Sequence, residues 1–262
     1  MAGRLPPYRP GVKMVHLSGK ALQWIGFVLV CLSSFSIAVL QRGVLKLDRE
    51  GAMEAVSEAM KPGGEAMGWA TGAVFCSLAS TLAVPIFAKL LYEGWRRAEG
   101  KRALFFRLAA CAAVSEIPYD FATNGRLVDG GVQNPVWGLL LAAIALEITR
   151  RWRMRSRFTD WAFRGLIVVA ALLWALLLRV YLGAALILLP VLFCFAAKWK
   201  WITMLGGAAL TLLQFPAPLG MVFVHWYDED KEPASGALLC ALYPAQLLTF
   251  GLLAAAAARG FH

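Results

Sequence analysis

The chain of 262 residues is 60% hydrophobic and 16% charged, with a mean hydropathy of +0.63. Soluble domains are about 45–50% apolar and about 25% charged, so this composition excludes an ordinary soluble protein. Apolar runs of about 18 residues or more recur along the chain and indicate a polytopic helical membrane protein. The net charge of +10 therefore indicates orientation of the loops by positive charge, and we expect no nucleic-acid partner.

Apolar runs predict an all-α bundle of eight transmembrane helices. Residues 1–18 carry proline and arginine and are expected to form a cytoplasmic N-terminal tail, followed by a single transmembrane domain over 19–262. The first apolar run is too long for the core of a signal peptide, so it is interpreted as a membrane helix. The predicted helices cover 21–40, 67–92, 103–117, 135–148, 161–178, 182–197, 201–222 and 237–258.

Helix-breaking residues define the connections. The polar segment 41–64 ends in Pro62-Gly63-Gly64 and predicts a short interfacial helix. The glycine-bearing segment 118–134 is expected to be a loop that begins at Pro118. In the seventh helix, a pair of prolines at 216 and 218 predicts a kink.

The distribution of lysine and arginine predicts the orientation. Basic residues concentrate at 96–102, 150–157 and 198–200, which all face the cytoplasm if the N-terminus does. The loop 118–134 and the acidic loop 225–235 then face outside. This predicts both termini in the cytoplasm. The run at 150–157 has an alternative interpretation as a contact for anionic lipid or for the phosphates of acyl-CoA.

Cysteines and histidines indicate neither a disulfide framework nor a metal site. No two cysteines form a CxxC pair, and all lie in apolar runs, which is typical of small buried hydrophobic residues. The histidines are scattered without ligand spacing, so we expect no metal. The cysteines are Cys31, Cys76, Cys111, Cys194 and Cys240, and the histidines are His16, His225 and His262.

A polar cluster interrupts this apolar chain at Ser115-Glu116-Ile117-Pro118-Tyr119-Asp120, with Gln133-Asn134 following it. Carboxylate and amide side chains are costly inside a membrane unless they are hydrogen-bonded. The cluster therefore predicts either a functional site or a satisfied polar network.

Each polar residue also has a structural interpretation. Glu93 is placed to form an ion pair with Arg96 at a helix end. Glu116 could satisfy backbone groups freed by the following proline, and Asp120 could cap a turn. Asn134, directly before a proline, is placed to be the N-cap of the fourth helix.

The stretch from Pro85 to Asn134 closely resembles the TraX family. The resemblance is carried by Pro85-Ile86-Phe87-Ala88, Glu93-Gly94, the polar cluster and Gln133-Asn134. On the last helix, Leu242-Tyr243-Pro244-Ala245-Gln246-Leu247-Leu248 is similar to the family's "YPxHL" segment. The resemblance is strong over 85–150 and fair over 223–256.

This resemblance implies an integral protein of the bacterial cytoplasmic membrane, related to the acyltransferase-3 group. The family is named after a conjugal-transfer protein linked to N-acetylation of pilin. The resemblance therefore implies transfer of an acetyl group in the lipid bilayer, with acetyl-CoA as donor and a protein or peptide as acceptor. The oligomeric state is left open.

Two histidine positions of the family are substituted in this chain. The Asp-His pair typical of its first helix falls at Ser33-Ser34, and the histidine of the last helix is Gln246. An acidic residue typical of a middle helix falls near Val180-Tyr181. Histidine is the usual general base of acyl transfer, and glutamine cannot accept a proton.

Two functions therefore stay open, and with them the question of whether the chain is an enzyme. One is a membrane acetyl- or acyltransferase with Glu93, Glu116 and Asp120 as catalytic carboxylates. The other is a catalytically degenerate TraX-like protein that serves as a membrane binding or scaffolding protein. A small transporter is disfavoured because no inverted repeat is visible. The predicted substrate-binding residues are Gln133, Asn134, Tyr243, Gln246, Ser33 and Ser34.

Overall fold

The computed structural model describes residues 16–47 and 66–260, and within these ranges it contains helices and no strand. The predicted all-α bundle is thereby confirmed. Most of the predicted tail and the greater part of the predicted interfacial helix lie outside the described residues. The described part of that segment continues the first helix as far as Val44.

Ten helices follow one another in the described ranges, and short 3₁₀ turns at Leu212–Gln214 and Ala217–Gly220 join two of them. The second half of the first helix, Phe35–Val44, is π-helical. The helices are α1 (Gly19–Ser34, continued to Val44), α2 (Met67–Ser80), α3 (Ala83–Arg97), α4 (Lys101–Asn124), α5 (Val136–Arg151), α6 (Arg157–Leu177), α7 (Gly183–Phe195), α8 (Lys200–Thr211), α9 (Met221–His225) and α10 (Gly236–Gly260).

Four helical segments in the described ranges are long and apolar enough to cross a membrane: Gly19–Val44, Met67–Arg97, Arg157–Leu177 and Gly236–Arg259. The segment Met67–Arg97 joins α2 and α3 across a short turn at Thr81 and Leu82. Length and composition thus support a multi-pass membrane protein.

The bundle has two ends of different character. One end, here called the basic end, holds Arg96, Arg97, Lys101, Arg150 and Arg151. The other, the far end, holds the C-terminus of α4 and the N-terminus of α5. Successive helices from α1 to α7 alternate between these ends, with α2 and α3 acting as one helix. The main apolar core lies between α3, α4, α5 and α7.

α4 continues through Pro118, so the prediction that a loop begins there is wrong. Proline removes a backbone donor, but membrane helices tolerate it where neighbouring helices and hydroxyl side chains satisfy the backbone. The Ser115 hydroxyl donates to the carbonyl of Cys111 at 2.5 Å in this part of the helix. The helix ends at Gly125, whose φ of +73° gives the left-handed C-cap that glycine favours.

The segment 200–225 reverses inside the bundle, so the predicted single crossing over 201–222 is wrong. α8 starts at the basic end, and the turn after it brings Gly220 against the Leu82 carbonyl, halfway along Met67–Arg97. α9 then returns beside α8, where Met221 contacts Gly207. Two prolines in the turn remove helix donors, and the chain folds back rather than kinking. We call 200–225 the re-entrant hairpin.

α10 starts at the basic end and runs parallel to α4. Gly236 packs against the Arg107 guanidinium near the start of α4, and Gly251 packs against the Phe121 ring near its end. The last described residues therefore lie at the far end, whereas Leu17 lies at the basic end, bonded to Trp226 and Asp228. The two ends of the described chain lie at opposite ends of the bundle.

Candidate functional site

The polar cluster forms a hydrogen-bonded joint between α4 and α5. The fully buried Asn134 amide donates to Ser115 Oγ at 2.7 Å and to the Ala112 carbonyl at 3.1 Å. Its Oδ1 accepts the Val136 backbone N–H at 2.7 Å, which caps the first turn of α5. Asn134 therefore has the predicted capping role and also fixes the two helices to each other.

Both carboxylates of the cluster are engaged at the far end. Glu116 Oε2 accepts the indole N–H of Trp137 at 2.9 Å, and Asp120 Oδ2 accepts the backbone N–H of Asp129 at 2.7 Å. Asp120 is 2% exposed and lies one turn beyond Glu116 on α4. Gln133 uses its backbone, not its side chain, to bond Arg179 and Tyr181 of the neighbouring connection.

Glu93 lies at the basic end in a network of positive charges. Its carboxylate contacts Lys89 Nζ at 2.7 Å, Arg96 at 2.7 Å and Arg97 at 3.6 Å, and the residue is 4% exposed. Glu229 of the acidic loop extends the network by pairing with Arg96 at 2.7 Å. The helix-end ion pair is thus present, and the loop predicted to face the opposite side lies at the basic end.

Glu147 is a buried carboxylate that the sequence reasoning missed. It pairs with Arg150 at 2.7 Å and Arg151 at 2.6 Å, and it accepts the Trp95 indole N–H at 3.2 Å. The sequence carries a signal for this pairing, because Glu147 precedes Arg150 by three positions and Arg151 by four. Side chains at these spacings face each other on a helix. Through its bond to Trp95, Glu147 stabilises the contact between α3 and α5 at the basic end.

The three predicted catalytic carboxylates do not meet in one place. Glu93 lies beside the start of α4, whereas Glu116 lies fifteen residues along that helix from Lys101. At 1.5 Å per residue the separation along the axis is roughly 20 Å. One substrate group cannot contact both ends, so Glu93 and the pair Glu116 and Asp120 belong to different environments.

A cavity of about 650 Å³ lies between α1, α3, α4 and α10. Ser33, Ser34, Glu93 and Tyr243 of the predicted site residues line it. Most of its other lining is aliphatic or aromatic. The remaining predicted residues, Glu116, Asp120, Gln133, Asn134 and Gln246, do not line it.

Charge is unevenly distributed along this cavity. Arg97, Arg107 and Ser235 line it near the basic end, and Tyr119, Tyr243 and Leu247 line it further along α4 and α10. Tyr119 lies three residues after Glu116 on α4, so the polar cluster borders this end of the cavity. The arrangement suits an elongated ligand with an anionic head and an apolar body.

The positions of the substituted histidines lie on two helices that pack together. The rings of Phe35 on α1 and Phe250 on α10 are 6.1 Å apart. Phe35 directly follows Ser34, and Phe250 lies one turn after Gln246. Gln246 is 8% exposed, and neither end of its amide has a hydrogen-bond partner among the described residues. A buried amide that makes no hydrogen bond is costly, so this position is not optimised for stability alone.

No three histidine, cysteine, aspartate or glutamate side chains in the described ranges are grouped to hold a metal ion. The family model described as TraX protein matches residues 18–254. The chain belongs to the TraX family. The match extends from α1 to α10, and it confirms the resemblance found over 85–150. No curated protein and no solved structure matches this TraX-family chain.

Proposed function

We propose that this TraX-family protein binds an acyl-bearing amphiphile in the central cavity and acts as a membrane binding protein without histidine-based catalysis. One observation carries this proposal. Glu93 is the only predicted catalytic carboxylate that lines the cavity, and Lys89 and Arg96 occupy both of its oxygens. Three cations within 3.6 Å stabilise the ionised form of this carboxylate, so it is a poor acceptor for a substrate proton.

The proposal includes an orientation in the bacterial cytoplasmic membrane. The basic end faces the cytoplasm, because lysine and arginine collect on that side. With the re-entrant hairpin returning to its own side, the described ranges cross the membrane seven times and the end of α10 lies outside. This replaces the expectation of eight crossings with both termini inside. The cavity then opens towards the cytoplasm, where acyl-CoA is available.

A binding experiment tests the proposal. Purified protein in detergent is titrated with acetyl-CoA and palmitoyl-CoA, and saturable binding of at least the long-chain ligand is expected. Ala103 lines the cavity and is exposed, whereas Ala110 on the same helix is exposed and does not line it. Ala103→Trp should weaken binding, and Ala110→Trp should leave it unchanged. Absence of saturable binding to the unmodified protein would refute the proposal.

Acyl transfer is the second candidate, and one observation favours it. Tyr119 lines the cavity and lies three residues after Glu116 on the same helix, so a carboxylate lies near the end of the cavity that the basic network does not reach. In this version Glu116 is the base, acetyl-CoA is the donor and a protein or peptide is the acceptor. Radiolabelled acetyl-CoA would then be hydrolysed or label the protein, and Glu116→Gln would abolish this turnover while leaving ligand binding intact.

A further inference from the structure

Arg107 has no ion-pair partner among the described residues. Its side chain lines the cavity, and its guanidinium makes no hydrogen bond or ion pair with any residue in 16–47 or 66–260. Its neighbours at the basic end differ. Arg96 pairs with Glu93 and Glu229, and Arg97 donates to the Glu229 carbonyl at 2.6 Å.

The Arg107 side chain is exposed and lines the cavity, within a helix that crosses the membrane in the proposed orientation. It lies six residues into α4, about 9 Å along the axis from the start of that helix. Arginine at membrane depth usually pairs with an acid or contacts a polar ligand or headgroup. Gly236 packs closely against one side of the guanidinium, where a β-carbon would lie 3.3 Å from its nearest atoms, so α10 fixes the position of this group at the cavity.

We propose that the cavity holds a membrane phospholipid with an anionic headgroup, its phosphate against Arg107 and an acyl chain along the apolar lining towards Tyr243. This inference rests on the proposed amphiphile-binding function and adds the class of ligand. Guanidinium groups match phosphate oxygens in a bidentate geometry, and basic pockets between membrane helices on the cytoplasmic side bind anionic headgroups. The cavity volume of about 650 Å³ lies within the range of small-molecule sites, so the cavity takes the phosphate and one acyl chain rather than the whole lipid.

Two cysteines provide a probe of occupancy inside the cavity. Cys111 lies one turn beyond Arg107, and Cys240 lies opposite it on α10, with its Sγ 3.9 Å from the Arg107 carbonyl. Both line the cavity, whereas Cys31 and Cys76 do not. A bound acyl chain should slow maleimide labelling of the first two and leave the other two unaffected.

The experiment compares phosphatidylglycerol, phosphatidylcholine and glycerol phosphate added to delipidated protein in detergent. Phosphatidylglycerol should bind most tightly and protect Cys111 and Cys240. Arg107→Gln should weaken that binding roughly tenfold or more, since it removes charge-assisted hydrogen bonds. Arg107→Lys should retain most of it. Arg102→Gln is the matched control, because Arg102 is exposed on the same helix and does not line the cavity.

The possible results test the headgroup, the source of the phosphate and the proposed function separately. Equal affinity for the anionic and zwitterionic lipids, with no effect of Arg107→Gln, would overturn the headgroup assignment and leave amphiphile binding standing. Protection by glycerol phosphate alone would overturn the lipid as the source of the phosphate. If no lipid or acyl-CoA binds the unmodified protein, the proposed function itself fails. A variant that unfolds is replaced in the comparison by Arg107→Lys, which keeps the charge.

Discussion

Replacing Asn134 by alanine tests whether the polar cluster is a structural joint. The side chain makes three hydrogen bonds, to Ser115, Ala112 and Val136, and it is fully buried. Side-chain bonds inside membrane proteins contribute about 0.6–1 kcal/mol each, which gives about 2–3 kcal/mol for the three. The substitution also leaves the Val136 N–H buried without its acceptor, which places the loss at the upper end of that range.

The assay is unfolding in mixed micelles titrated with sodium dodecyl sulfate, followed by helical circular dichroism. Gln133→Ala is the matched control, because Gln133 is adjacent and its side chain makes no hydrogen bond with any described residue. We expect it to change the free energy of unfolding by less than about 0.5 kcal/mol. Asn134→Asp keeps the capping oxygen but buries a carboxylate oxygen against the Ala112 carbonyl, so it should cost at least as much as Asn134→Ala.

The reasoning is refuted if Asn134→Ala and Gln133→Ala have the same small effect on unfolding. It is refuted in another way if Asn134→Ala is stable but loses ligand binding, since the residue would then contact the ligand rather than hold two helices together. Ser115 keeps its donation to the Cys111 carbonyl in Asn134→Ala, so most of the expected loss comes from the Val136 N–H.

Three further predictions use the same bundle. Gly251→Val should destabilise the α4–α10 contact by about 1–3 kcal/mol in the same unfolding assay, because a β-carbon at 251 would lie 2.6 Å from the Phe121 ring; a neutral result would contradict that packing. Glu147→Gln should cost about 1–2 kcal/mol, since two half-exposed arginines lose their shared partner, and the cost should shrink in high salt if the pairs are ionic. On a cysteine-free background, cysteines at Asp230 and Arg259 should be labelled from opposite sides of the membrane, and labelling from one side would refute seven crossings.

Apolar runs predicted the existence of the helices because hydrophobic length is a local property of the sequence. The run over 201–222 was misread because hydropathy cannot distinguish a crossing helix from two short helices that turn at two prolines. The turn is decided by contacts of Gly207 and Gly220 with distant parts of the chain, which no local pattern contains.

Charge patterns were informative where partners are close in sequence. The ion pair at Glu93 and the cap at Asn134 follow from neighbouring residues and were predicted from them. The acidic loop was predicted to lie opposite the basic residues because 201–222 was counted as a crossing helix. Glu229 instead pairs with Lys89 and Arg96, a contact that requires the folded bundle. The catalytic roles proposed for the carboxylates stay predictions.

The re-entrant hairpin also determines what the insertion machinery must translocate. The hairpin returns to its starting end of the bundle, so in the proposed orientation the acidic loop after it stays in the cytoplasm and its carboxylates need no translocation across the bilayer. Those carboxylates are Asp228, Glu229, Asp230 and Glu232. In the same orientation α10 crosses next and carries Arg259 to the other side. The hairpin therefore lowers the cost of membrane insertion, because one arginine is dehydrated in place of four acidic side chains.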